Sequence, residues 1–159
     1  MPRVLFDPWT SGLVILEEAG SPGAVRFRRL ASDGKVVGRR MLRLPVADLT
    51  EAVVVKQIEL YRSRNTSIPA SQYRKALYRP KYLPAIRSAR VTAGGQLWVL
   101  TNAERQDGRV WMVFDRDGQH RLTVTAPATI SILETTGDTV YAADLDPDGI
   151  ASLVRFRLR

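Results

Sequence analysis

Short apolar runs of strand length alternate with polar turns along most of this chain. From Gly94 to Gln119 the sequence reads GGQLWVLTNAERQDGRVWMVFDRDGQ, in which LWVL and VWMVF flank a polar loop and DRDG follows at once. β-Branched and aromatic residues dominate the runs, and Asp-Gly pairs supply residues that accept a left-handed backbone. The pattern predicts strands over about 86–92, 96–101, 109–114 and 120–125, joined as an antiparallel meander.

The same grammar recurs twice. Near the start, VLFDPW, GLVILEE, AVRFRRL and KVVGRRMLRL are separated by Ser11-Gly12, Ser21-Pro22-Gly23 and Asp33-Gly34. Near the end, ISILET, TVYAAD and SLVRFRLR are separated by Gly137-Asp138 and Asp148-Gly149. Leu97 and Val140 hold equivalent places 43 residues apart, and Asp33-Gly34 and Asp117-Gly118 lie 84 apart, two such periods. A repeat of ~40–50 residues carrying four strands is the mark of a β-propeller blade. A β-sandwich without repeats has the same alternation, and the matched turn positions favour the repeat. The expected fold is therefore all-β: a partial β-propeller of about three four-stranded antiparallel blades with a partly helical insert. Residues 4–45 form the first blade, 46–85 the insert, 86–127 the second blade and 128–159 an incomplete last blade, all within a single domain. Residues 4–9 belong either to the first blade or to the last as its missing strand.

The insert reads differently. VADLTEAVVVKQIELYRSR has helical character, with Asp48 or Thr50 as N-cap and Val53, Ile58, Leu60 and Tyr61 as an imperfect apolar face. Pro69 interrupts, and ASQYRKALYR suits a second short helix ending before Pro80.

Charge sharpens this picture. The chain carries +8, and Lys56 to Arg90 holds nine basic residues against one acid, Glu59, so that segment accounts for the whole excess. Tyr61, Tyr73, Tyr78 and Tyr82 are interleaved with the cations. Cations beside aromatic rings suit phosphate contact with base stacking, an acidic protein or an anionic membrane surface. They equally suit tyrosines buried against the fold beneath solvated arginines. The candidate partner- or anion-binding residues are Arg62, Arg64, Tyr73, Arg74, Lys75, Tyr78, Arg79 and Lys81.

The stretch YLPAIRSARVTAGGQLWVL, then VWMVFDRDGQ, then ISILETTGDTVYAADLDPDGIASLVRFRLR resembles the last blades of bacterial six-bladed β-propellers of the NHL-like type. Pro84, Ile86, Gly95, Leu97, Trp98, Val99, Val113, Phe114, Asp115 and Gly118 match that pattern, and Val140, Tyr141, Asp144, Val154, Phe156 and Leu158 match less specifically. The resemblance covers about residues 80–159, more weakly 4–45, and its motifs concern blade packing, not activity. It implies a bacterial protein, periplasmic or secreted if this is a mature form or fragment. Eleven expected strands are about half of what six blades require.

Catalytic and metal chemistry find little support. DLDPDG, from Asp144, has the spacing of half a calcium loop, but the closing ligand position is Arg155, which repels a cation; a polar turn is expected. His120 is the only histidine and there is no cysteine, so zinc and thiolate sites are not expected. Related propeller lactonases and lyases hold metal through inner-strand side chains, and the inner strands here offer Arg87, Arg90 and Glu134, a poor metal cage. Gly94-Gly95 is not followed by the Lys-Ser/Thr of a phosphate loop. No cofactor is expected. The N-terminus has no apolar core like that of a signal peptide, no apolar run reaches membrane-spanning length, and a soluble chain is expected. The leading expectation is a non-catalytic binding or assembly module, a half-propeller engaging a protein partner or its own copy. A propeller-scaffold hydrolase or lyase fragment stays open, as does nucleic-acid or other polyanion binding through residues 56–90.

Overall fold

The computed structural model describes residues 2–64, 67–76, 80–105 and 108–158. Its elements in chain order are β1 (Arg3–Asp7), β2 (Gly12–Glu18), β3 (Ala24–Leu30), β4 (Val36–Arg43), α1 (Glu51–Arg64), α2 (Ala70–Ala76), β5 (Ile86–Val91), β6 (Leu97–Arg105), β7 (Gly108–Phe114), β8 (His120–Ala126), β9 (Ile130–Thr136), β10 (Thr139–Leu145) and β11 (Ala151–Arg157). The fold is all-β with little helix. Three antiparallel sheets follow one another, β1-β2-β3-β4, β5-β6-β7-β8 and β9-β10-β11, each in sequence order. The first strand pairs with β2, Phe6 opposite Leu13, so residues 3–7 belong to the first sheet and the last keeps three strands.

One turn recurs four times. In Ala31–Lys35, Thr92–Gln96, Asp115–Gln119 and Asp146–Ile150, the first and fifth residues are joined by an N–H···O bond and the fourth residue donates to the first. That fourth residue is always glycine, Gly34, Gly95, Gly118 or Gly149, with φ between +74° and +83°. A three-residue hairpin loop closing on a left-handed residue needs this conformation, which glycine alone adopts without penalty. In DRDGQ and DPDGI the leading aspartate also accepts the fifth residue's N–H through its side chain, at 2.8 Å in both.

The sheets pack face to face through strand alternation. Val14, Leu16, Val25, Phe27 and Leu42 of the first sheet, with Leu44 just after β4, meet Ile86, Leu97, Val99 and Phe114 of the second. The other face of the second sheet, Trp98, Leu100, Trp111 and Val113, meets Ile130, Ile132, Val140 and Ala142 of the third. Buried on both faces, LWVL loses its alternation and reads as a continuous apolar run. A bulge between Ile86 and Ser88 shifts the register of β5, so Ile86 shares a face with Ala89 and Val91 while Ser88 and Arg90 point the other way, opposite Leu100 and Trp98.

Residues 47–83 form a second compact unit. Its ends are tied by an antiparallel bridge between Asp48 and Tyr82, with Leu83 N donating to Ala47 O and Leu49 N to Lys81 O. Thr50 is the N-cap of α1: its hydroxyl accepts from Val53 N. The apolar face differs from expectation. Val54 and Ile58, one turn apart, are buried, whereas Val53, Leu60 and Tyr61 are exposed. The pairing follows the helical i, i+4 spacing, which the expected set met only in part.

Candidate binding surfaces

The third strand of each sheet has a different fate in the last one. In β3 and β7 most side chains are buried or nearly so. In β11 only Val154 is partly covered. Leu153 is 74% exposed and Phe156 45%. β3 and β7 have a fourth strand beside them, whereas among the described residues no strand pairs with the outer edge of β11. Leu133, Leu145 and Ile150 are also exposed in and around this sheet. At the other end of the series, Val4 and Phe6 of β1 lie opposite Ile15 and Leu13 of β2. Val4, Phe6 and Leu13 are exposed as well. Both terminal sheets therefore carry uncovered apolar residues, while the middle sheet carries few. Scattered exposed apolar residues are ordinary, and here they fall on the first and last sheets.

The cationic candidates occupy the second unit. Arg62 is an exposed residue of α1, and Lys75 an exposed residue of α2. Tyr73 stacks on Tyr61 with ring centroids 6.0 Å apart and 10° between planes, which joins the two helices. Arg74 pairs with Glu51 at 3.4 Å, so part of its charge is met within the unit. Lys81 Nζ stands 5.1 Å above the Tyr82 ring. Hydrogen bonding to Tyr82, with the charge of that phenol at high pH, raises the Lys81 pKa above its ordinary value. Arg64 closes α1; its side chain, and Tyr78 and Arg79 entirely, lie outside the described residues. Arg62, Tyr73, Arg74 and Lys75 thus share a two-helix unit, with Lys81 at its base.

The remaining motifs have structural explanations. DLDPDG contains the fourth copy of the recurrent turn, with Asp146 Oδ1 engaged by Ile150 N. His120 lies on β8, its Nε2 3.0 Å from Thr123 Oγ1 and its ring edge-on to Phe114. Arg90 donates from Nη1 to the Ile132 carbonyl of β9, and Glu134 accepts from Ala93 N and Thr135 N. Among the described residues no cluster of His, Asp and Glu is arranged to hold a metal ion, and no helix is long and apolar enough to cross a membrane.

A buried polar junction between the first and second sheets escaped the sequence reading. Arg29 and Asp7 are both buried, with Arg29 Nε 2.9 Å from Asp7 Oδ2 in an ion pair that lacks the alignment of a hydrogen bond. Arg29 also donates to the carbonyls of Gly95 and Arg116, each at 2.7 Å. Thr10 and Trp9 N serve the Asp7 carboxylate, and the Arg116 guanidinium stacks 3.3 Å over the Trp9 ring. Desolvation lowers the Arg29 pKa, with the Asp7 charge opposing it. A signal existed. Arg29 has the parity of Val25 and Phe27 in β3, and Asp7 that of Leu5 in β1, so alternation alone turns both inward. The guanidinium donates to two turn carbonyls of the second sheet and pairs by charge with a carboxylate of the first, which makes this a tether between sheets.

No protein-family model matches the chain, and neither does any curated protein or solved structure.

Proposed function

We propose that this chain is a non-catalytic binding or assembly module, a segment of two and three-quarter propeller blades that another polypeptide completes. The carrying observation is β11, the counterpart of β3 and β7, which is exposed where they are buried. Stacked sheets of this kind bury each apolar face against a neighbour, so an open series leaves its terminal faces without one. A partner strand beside β11 would satisfy its backbone groups and cover Phe156. A partner sheet on Leu133 and Leu153, or on Val4 and Phe6, would extend the packing. Two copies supply 22 strands, close to a six-bladed ring of 24, if each contributes the eleven seen here. A different chain, or the rest of a longer one, would present the same surfaces. Arg155 and Arg157 on β11 oppose uncontrolled pairing of like edges by charge repulsion, which favours a specific partner.

Sedimentation equilibrium combined with amide hydrogen exchange tests this reading. A dimer in which β11 amides gain protection supports completion by a second copy. A monomer whose β11 amides exchange freely while those of β3 and β7 are protected supports a different partner. A monomer in which β11 is protected as strongly as β3 and β7 overturns the proposal, because the edge is then already closed.

A further inference from the structure

The first sheet has a face turned away from the second, and strand register sets its chemistry. One row crosses all four strands: Val4 of β1 lies opposite Ile15 of β2, Ile15 opposite Arg28 of β3, and Arg28 opposite Arg39 of β4. The alternate residues of the same strands, Val14 and Leu16 in β2 and Val25 and Phe27 in β3, face the second sheet. The rows on either side set Phe6 opposite Leu13, and Glu17, Arg26 and Met41 in line. Arg43 follows, opposite Ala24. This outward face is therefore apolar along β1 and β2 and cationic along β3 and β4. Arg26, Arg28, Arg39 and Arg43 are all exposed.

Those four arginines share the face with one carboxylate, Glu17, which meets Arg26 at 3.5 Å. The other acids of residues 3–43 are engaged elsewhere. Asp7 is buried with Arg29 on the inward face, Glu18 accepts from Ala85 N, and Asp33 pairs with Lys35 in its turn. Arg28 and Arg39 are like charges directly opposite one another, an arrangement that weakens a strand pair and that an anion above it relieves. Composition conceals this patch: outside residues 56–90 the chain is neutral, and folding separates its charges. The far end of the series is cationic too. Arg155 and Arg157 lie with Leu153 on the outward face of the third sheet, while Val154 and Leu158 turn toward the second. A second copy stacked on the first sheet would set arginine against arginine whichever of its terminal sheets it presented.

We propose that the outward face of the first sheet docks an acidic polypeptide, different from this chain, whose carboxylates meet Arg28 and Arg39 and whose apolar side chains cover Val4, Phe6 and Leu13. This rests on the assembly reading, in which a polypeptide covers the terminal faces, and names that polypeptide's chemistry. A nucleic acid would leave the aliphatic half uncovered, since base stacking needs rings and Phe6 is the aromatic residue these rows present. A bilayer needs apolar side chains that reach past the headgroups, whereas Val4 and Ile15 share one row with Arg28 and Arg39.

Fluorescence anisotropy of a labelled peptide of alternating Glu and Val, titrated with the full chain, tests the face. A peptide of alternating Lys and Val and an oligoglutamate of equal charge serve as comparisons. The expected result is saturable binding of the Glu-Val peptide that salt weakens, no binding of the Lys-Val peptide, and weaker binding of oligoglutamate, which has nothing to cover Phe6. Arg28→Gln combined with Arg39→Gln should weaken the Glu-Val peptide about ten-fold or more, the loss of at least one charge-assisted contact. Its thermal midpoint should not fall, because a like-charge pair has been removed. Arg62→Gln combined with Lys75→Gln should leave the affinity unchanged. The absence of saturable binding by the wild-type chain overturns the proposal, and so does unchanged affinity in the folded Arg28→Gln, Arg39→Gln protein. Equal weakening of a heparin oligosaccharide or of phosphatidylglycerol vesicles by that double variant overturns the assignment to a polypeptide. A dimer of the wild-type chain that Phe6→Asp dissociates overturns the acidic partner and upholds the assembly reading. β11 amides protected in the free monomer overturn the assembly reading and leave the result of the peptide titration as it stands.

Discussion

Asp7 of β1 and Arg29 of β3 form a buried ion pair at 2.9 Å, and the same guanidinium binds two turn carbonyls of the neighbouring sheet. The pair connects the end of the first strand to the third strand of its own sheet, and through it to Gly95 and Arg116 in the second. Removing one member leaves the other charge buried and unpaired, at a cost of about 3–5 kcal/mol. Arg29→Met and Asp7→Asn should each lower the urea midpoint accordingly. The double variant should lose less than the sum of the two, because the uncompensated charge is gone. Additive losses would show that the two residues are not coupled.

Trp98 sits between sheets with no exposed surface. Trp98→Ala should cost about 3–5 kcal/mol, the range for deleting a buried aromatic side chain. Trp9 is half exposed, and Trp9→Ala should cost far less, chiefly the contact with Arg116. Iodide quenching should separate them in the native protein, with Trp9 quenched and Trp98 protected.

Gly12 and Gly34 should respond to alanine for different reasons. A Cβ at Gly12 would stand 2.0 Å from the Leu30 carbonyl oxygen, so the β2–β3 pairing must move. Gly34 has open space, and alanine there meets only its backbone angle, φ +81°. Gly34→Ala should cost about 1 kcal/mol. Gly12→Ala should cost about 3 kcal/mol, the upper end of overpacking penalties. Equal thermal shifts would contradict this close approach.

Leu153 is the most exposed of the large apolar side chains on the last sheet. Leu153→Asp should abolish self-association or partner binding while changing monomer stability by no more than about 0.5 kcal/mol, as for an ordinary surface substitution. Sedimentation and denaturation on the same preparation check both halves. Unaltered association would place the contact on another face.

Any polyanion that binds should do so through the second unit. Replacing Arg62, Arg64, Arg74 and Lys75 with Gln should weaken binding of a heparin oligosaccharide and flatten its salt dependence, since each lost phosphate- or sulfate-type contact removes counterion release. An unchanged salt slope would move the contact to the arginines of the sheets.

Local chemistry was legible in the sequence. The Asp-Gly turns announced themselves because a left-handed backbone position demands glycine whatever surrounds it, and Gly34, Gly118 and Gly149 all occupy that position. Strand positions followed because alternation and β-branched runs report a half-buried surface, and LWVL reported burial on both faces. The helical segment followed from Thr50 and the prolines; its apolar face was read only in part, with Ile58 buried as expected and Val54 missed, because Val54 is distinguished from Val53 and Leu60 only by what covers it.

Tertiary structure decided everything that joins distant residues. Whether residues 3–7 complete the first sheet or the last was open in the sequence, since one apolar strand fits either edge; pairing with β2 settles it. Arg29 and Gly95 are 66 residues apart and Arg90 and Ile132 are 42 apart, so no local pattern marks them as partners. Nor could composition distinguish Arg29, buried against a carboxylate, from Arg28, its solvent-facing neighbour. The physical reason is that charge and hydropathy belong to the residue, whereas desolvation, pairing and an unsatisfied N–H belong to its surroundings, and those exist only once the sheets have packed.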